Sequence, residues 1–146
     1  MNLEQLRIEL EQDEGCVAEI YLDHLGFPTF GIGHLVKKTD DEFGLPEGSA
    51  VAPERINECF EDDIQMTCDD CLRLYPDFDM LPEEVQLIIA NMMFNLGATK
   101  MAKFRGMKSG VDDRDWQKAA DEMKDSKWFE QVPNRAQRLI DRMRNV

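Results

Sequence analysis

Asp13-Glu14-Gly15-Cys16-Val17-Ala18-Glu19-Ile20-Tyr21-Leu22-Asp23-His24-Leu25-Gly26-Phe27-Pro28-Thr29-Phe30-Gly31-Ile32-Gly33-His34-Leu35 is the stretch in which the spacing of apolar residues changes. Upstream of it, Leu3, Leu6 and Leu10 recur every three or four positions, so residues 2–12 are predicted to form a short amphipathic helix that Gly15 stops. Glu14 then stands at the C-terminal end of that helix. From Val17 onward the apolar residues are largely β-branched or aromatic (Val17, Ile20, Tyr21, Phe27, Phe30, Ile32) and are broken by Gly26 and Pro28, the pattern of a small hairpin or meander. Gly31 and Gly33 flank Ile32, which predicts a sharp backbone bend or the close approach of another group.

Beyond this stretch the chain turns helical. Residues 37–52 contain Gly44, Pro46, Gly48 and Ser49 among several acids and read as a mobile surface excursion. Pro53 can open a helix as its first residue, and Ile56, Phe60, Ile64, Cys71 and Leu74 line one face of it up to Pro76. Pro82 starts a segment whose Val85, Ile88, Ile89, Met92, Met93 and Leu96 make a wide apolar face ended by Gly97. Asp112 or Asp113 is expected to cap a helix carrying Trp116, Ala119, Ala120 and Met123. A turn is expected around Trp128 and Phe129, and Pro133 precedes a last helix with Ala136, Leu139, Ile140 and Met143. The fold class is therefore α+β, as one domain over residues 1–146. It is expected to have a front lobe with a small sheet (about 13–52), a linking helix (about 53–75) and a helical lobe (about 76–146 plus the helix at 2–12).

The charge is unevenly spread. Residues 1–80 carry 20 acidic and 5 basic side chains, a net −15, whereas residues 81–146 carry 10 and 12, a net +2, so the negative charge lies in the front half. Such a surface repels phosphate backbones, and no nucleic-acid partner is expected. The basic series Arg135, Arg138, Arg142 and Arg144 has helical spacing and reads as a solvated helix face. No apolar run approaches the roughly 20 residues needed to span a bilayer, and no stable membrane insertion is expected. The first residues lack a basic-then-apolar signal pattern, so synthesis in a cytoplasm is expected. Cys16, Cys59, Cys68 and Cys71 are then expected to be reduced, buried or half-buried thiols. Cys68 and Cys71 form a CxxC pair, but a zinc site would need further ligands and the chain holds only His24 and His34, so neither metal nor cofactor is expected.

The chemistry concentrates where the periodicity changes. Glu14 and Asp23, followed by Thr29 and the glycine-flanked turn, place two carboxyls and a hydroxyl within 21 residues of chain. Two acidic groups in one cleft can divide the labour of glycoside cleavage, one protonating the leaving oxygen and the other staying ionised opposite it. With 30 of 146 residues acidic, the spacing of those two alone would mean little. Their order with the flanking motifs carries more.

Asp13-Glu14-Gly15, Tyr21-Leu22-Asp23 and Thr29-Phe30-Gly31-Ile32-Gly33-His34-Leu35 together resemble the opening signature of the phage-type lysozymes, glycoside hydrolase family 24. Phe60-Glu61-Asp62-Asp63, Asn91-Met92-Met93-Phe94-Asn95-Leu96-Gly97, Trp116 to Ala120, Ser126-Lys127-Trp128 and Pro133-Asn134-Arg135-Ala136 extend the resemblance, in order, over almost the whole chain. It implies a lysozyme-like fold and hydrolysis of the β-1,4 bond between N-acetylmuramic acid and N-acetylglucosamine in peptidoglycan. Glu14 would be the general acid, Asp23 the catalytic carboxylate, and Thr29 would help place the attacking water. The stereochemical outcome depends on the separation of the two carboxyls. Arg135 would hold Glu14 in place, and His34 with Asp63 would form a structural ion pair. Leu35, Phe94, Asn95, Met107 and Glu122 fall at saccharide-contact positions, the last two departing from the polar uncharged residues usual there.

The resemblance further implies a monomeric endolysin that binds peptidoglycan glycan strands. It would be made in a host cytoplasm and act on the wall after a separate holin-like pore opens the membrane. Two alternatives stand beside it: a lytic transglycosylase cutting the same bond, for which Asp23 and Thr29 would be superfluous, and a catalytically inactive wall-binding relative. Family members are often basic, and this chain's acidity predicts that moderate salt aids its approach to an anionic wall.

Overall fold

A computed structural model describes residues 1–146. Its elements run α1 (Leu3–Glu14), β1 (Val17–Leu22), β2 (Pro28–Gly31), β3 (His34–Leu35), α2 (Pro53–Leu74), a short 3-10 turn (Phe78–Met80), α3 (Glu83–Leu96), α4 (Ala98–Met101), α5 (Arg105–Asp112), α6 (Trp116–Lys124), α7 (Lys127–Gln131) and α8 (Pro133–Arg144). This is an α+β architecture, a small sheet with helices, as expected. The chain divides into two compact units, Arg7–Met66 and Met1–Leu6 with Thr67–Val146.

The unit Arg7–Met66 is built around an antiparallel sheet of order β1-β2-β3. Its register pairs Tyr21 with Thr29 and Leu22 with Pro28 across one junction, and Thr29 with Leu35 and Phe30 with His34 across the other. Alternation sends Phe30 and Ile20 inward; they are buried, as are Leu10, Ile32 and Val51 and, on α2, Ile56, Cys59, Phe60 and Ile64. Removing a side chain such as Phe30 from water is worth about 1.5–3 kcal/mol. Gly31 has φ +63°, and a Cβ there would come within 2.9 Å of Ile56 Cγ2, so both its conformation and its closeness to α2 exclude a side chain.

The stretch 37–52, expected to be a mobile excursion, is instead fastened to β1. Ile20 N–H donates to Ser49 O at 2.9 Å, Gly48 N–H to Ile20 O at 2.7 Å and Val51 N–H to Ala18 O at 2.9 Å. Glu19 and Ala50 form an antiparallel bridge. The edge of β1 that β2 leaves open is thereby partly paired, which satisfies main-chain groups that would otherwise need water.

The second unit is helical. In α3 every residue from Val85 to Met93 is buried, as befits a helix apolar nearly all round. Gly97, at φ +80°, ends it where expected. Gly110 of α5 lies where a Cβ would meet Ala119 N of α6 at 2.7 Å, and this small residue lets the two helices cross closely. Ala119, Ala120 and Met123 are buried, as are Ala136, Leu139, Ile140 and Met143 of α8, which packs on α6.

Two local expectations need correction. Asp115, not Asp112 or Asp113, caps α6: its carboxylate accepts from Lys118 N at 3.0 Å, while Asp112 closes α5 and Asp113 caps the end of that helix. The turn near Trp128 is a full short helix, α7, whose N-cap Ser126 accepts from Phe129 N at 3.2 Å.

Candidate active site

Glu14 is the last residue of α1, and Gly15 leaves the helix at φ +70°. The bend at residues 31–33 brings Gly33 (φ +64°) beneath its side chain, so that a Cβ on Gly33 would lie 2.6 Å from Glu14 Oε2. The two glycines predicted to permit a close approach therefore do so on different partners: Gly31 meets α2 and Gly33 meets the carboxyl.

Asp23 follows β1 directly. A three-residue loop, His24-Leu25-Gly26, turns the chain back, with Gly26 at φ +83° and its N–H on Asp23 O at 2.9 Å. Asp23 Oδ1 accepts the N–H groups of Leu25 and Phe27, each at 2.9 Å. Phe27 O accepts in return from Asp23 N at 2.9 Å and from Thr29 Oγ1 at 3.0 Å. The backbone of Phe27 thus ties the second carboxyl to the hydroxyl. Thr29 is buried, and with its proton committed to Phe27 O its oxygen is left to accept from a further donor.

Tyr21 joins these groups. It is two residues before Asp23 on the same strand and directly opposite Thr29, so all three share one face. Its hydroxyl is held above the ordinary value of 10.0 by burial first, then by the negative charge of Glu14 and of Asp23. Both carboxyls therefore lie close enough for their charge to act on one phenol, which it helps keep protonated. The Tyr21 motif is visible in the chain, but nothing in its sequence indicates that its hydroxyl senses the charge of both acids.

His34 is buried on the opposite face, 4% exposed, with Asp63 Oδ2 at 2.6 Å from Nδ1 and Asp40 Oδ2 at 2.8 Å from Nε2. Burial opposes its charge, yet the hydrogen bonds from the two carboxylates outweigh it and raise its value above 6.5. A carboxylate on each nitrogen favours the charged ring, the form that donates from both. Asp40 also accepts Lys37 N at 2.8 Å and lies 3.4 Å from Arg55, which bonds Glu42 at 3.0 Å and Glu58 at 3.0 Å. The reading of His34 with Asp63 alone missed Asp40 and Arg55, because long-range pairing of a loop acid leaves no periodic trace.

Sugar-contact candidates differ in what they can offer. Leu35, opposite Thr29 on β3, is 50% exposed. In the helical unit Phe94 and Asn95 end α3 half-buried, and Asn95 Oδ1 is engaged by Trp128 Nε1 at 2.8 Å. Glu122 is exposed, its carboxyl folded over Gly106 of α5. Met107 requires correction: it is fully buried, an apolar gap-filler in α5 with no surface for a sugar. Arg135 opens α8 with Nε on Asn91 Oδ1 at 2.8 Å, and Asn91 is entirely buried.

All four cysteines are free thiols. Cys16 is exposed, contrary to expectation, while burial pushes Cys59 up to about 11 and Cys71 higher still. No helix is long and apolar enough to cross a membrane.

Comparison with known proteins follows the same outline. A family model described as phage lysozyme matches residues 11–145. The chain is 29% identical to "Probable T4-type lysozyme 2" of Dictyostelium discoideum, over 92% of this chain and 91% of that protein. It is 30% identical to "Pre-baseplate central spike protein Gp5" of Enterobacteria phage T4, over 89% of this chain but 26% of the spike protein. It is 29% identical to "Peptidoglycan hydrolase gp36" of Pseudomonas phage phiKMV, over 94% of this chain and 15% of that hydrolase. The same module therefore occurs both nearly alone and inside much longer chains.

Proposed function

Because the chain belongs to the phage lysozyme family and is a glycoside hydrolase of lysozyme type, we propose that it hydrolyses the β-1,4 bond between N-acetylmuramic acid and N-acetylglucosamine, with Glu14 as the acid, Asp23 as the ionised carboxylate and Thr29 as the water-placing hydroxyl. The observation that carries this reading is that Asp23 and Thr29 are both tied to the main chain of Phe27, with Tyr21, the strand partner of Thr29, near enough to Glu14 and Asp23 to sense the charge of both. Glu14, held over Gly33, gives its proton to the departing glycosidic oxygen. Asp23 is fixed through Oδ1, and Oδ2 carries no main-chain bond, so it remains for the reaction. A water accepted by Thr29 offers its proton to that oxygen, which leaves a water lone pair for the anomeric carbon. Preset donors and acceptors of this kind lower the barrier by avoiding reorganisation during the reaction. Leu35 supplies apolar surface beside the reacting sugar.

The biological setting we infer is lysis of a host wall from within, by a monomer made in the cytoplasm and admitted to the wall by a holin-like pore. Mass spectrometry of digested peptidoglycan tests the reaction. Reducing muropeptide ends are expected; anhydro-muramic ends would assign the chain to the transglycosylases instead.

A further inference from the structure

Phe27 is 52% exposed, although a large aromatic side chain gains free energy from burial. A single exposed phenylalanine is unremarkable in itself, and the placement of this one is what matters. Its backbone is the junction that binds Asp23 Oδ1, Asp23 N and Thr29 Oγ1. The Cα that carries the ring is therefore held in place relative to the second carboxyl and the hydroxyl. Phe27 comes one residue before β2 and is main-chain bonded to Asp23 across the hairpin loop; continuing the strand alternation by that one residue puts it on the face of Tyr21, Thr29 and Leu35. Leu35, half exposed, lies on the other side of Thr29 from Tyr21, so this face carries exposed apolar surface at the hairpin and at β3.

A pyranose ring has an apolar face of C–H groups as well as its hydroxyl rim, and an aromatic ring offers that face a flat, rigid partner. In a unit rich in carboxylates, an uncharged platform attracts a glycan without charge repulsion. Resting on the muramidase reading above, we propose that Phe27 is a sugar-positioning residue: its ring stacks on a pyranose of the glycan strand next to the bond being cut and fixes the strand's register over Asp23 and Thr29.

The test is steady-state kinetics on soluble glycan strands freed of stem peptides, with Phe27→Ala, Phe27→Leu and Phe27→Trp, alongside titration of the same strands into wild type and Phe27→Ala. The hydrogen bonds of Phe27 are all main-chain, so thermal midpoints should stay close to wild type. Loss of stacking should raise the half-saturating strand concentration about 5- to 10-fold in Phe27→Ala, the scale of one aromatic contact. kcat should change less than twofold, Trp should restore binding, and Leu should restore it only in part. Unchanged affinity in Phe27→Ala would overturn the proposal, as would a loss confined to kcat that Trp does not rescue, which would mark Phe27 as a support for Asp23. Should wild type leave the strands uncut, the muramidase reading falls, and the titration alone decides the platform: the same loss of affinity sustains it and equal affinity ends it.

Discussion

The carboxyl of Glu14 lies on Gly33, so close that a Cβ on the glycine would stand 2.6 Å from Oε2 and 3.0 Å from Cδ. A helix end and a sheet bend, 19 residues apart in the chain, thus meet at the one place where a side chain is missing. Gly33→Ala should displace Glu14 and cost roughly 1–2 kcal/mol for a left-handed alanine. Gly26→Ala separates the two effects: φ is +83° there too, but nothing lies within 4 Å. Lysis rates and denaturation midpoints should show both variants destabilised and only Gly33→Ala at least about 10-fold slower, the scale expected for a misplaced catalytic group. Equal activities would mean that the Gly33 contact is not needed to aim the acid.

The ring of His34 and the carboxyl of Asp40 make stability depend on pH from both sides. His34 is raised above 6.5, so its contribution is complete below that value and is lost as pH rises through the raised one. Asp40 is lowered below 3.8 by its Lys37, His34 and Arg55 partners against the opposing effect of burial. Its contribution is complete above 3.8 and lost as pH falls through the lowered value. Stability from this pair should therefore be greatest between those two ordinary values. Thermal midpoints across pH should show the plateau, and Asp40→Asn should flatten it and cost about 1–3 kcal/mol within it.

Asn91 is the buried acceptor of Arg135 Nε at 2.8 Å. Asn91→Leu removes that acceptor while keeping roughly the volume, and should lower the unfolding free energy by about 1–3 kcal/mol. Urea denaturation should show a lower midpoint with an unchanged slope.

The net charge of −13 should make the lysis rate rise with salt. Between about 10 mM and 100 mM the Debye length falls from about 30 Å to about 10 Å, which screens the acidic unit from an anionic wall. Turbidity assays across this range should give an increasing rate, and a monotonic decrease would contradict the electrostatic argument.

What the chain revealed in advance was set by local period and punctuation. Leu3, Leu6 and Leu10 marked α1, Gly26 and Pro28 broke the sheet where it turns, and Pro53 and Gly97 stood at helix ends, because each rule acts over a few residues. Residues 98–115 mix glycine, charge and single apolar side chains without a sustained period, so α4, α5 and the cap Asp115 were not apparent. Met107 shows the limit of carrying a position over from relatives: a methionine among helices finds the core, whatever a polar residue does there elsewhere. Asp40 on His34, Tyr21 beside both acids and the junction at Phe27 depend on tertiary closure, which no local pattern encodes.

The most direct measurement is clearing of purified peptidoglycan by Glu14→Gln against wild type, with circular dichroism confirming that both are folded. Gln keeps the shape of the side chain but cannot deliver the proton, so the rate should fall by at least about 100-fold, the lower end for a general acid. Equal clearing by the two proteins would contradict the role assigned to Glu14 and with it the whole account of the site.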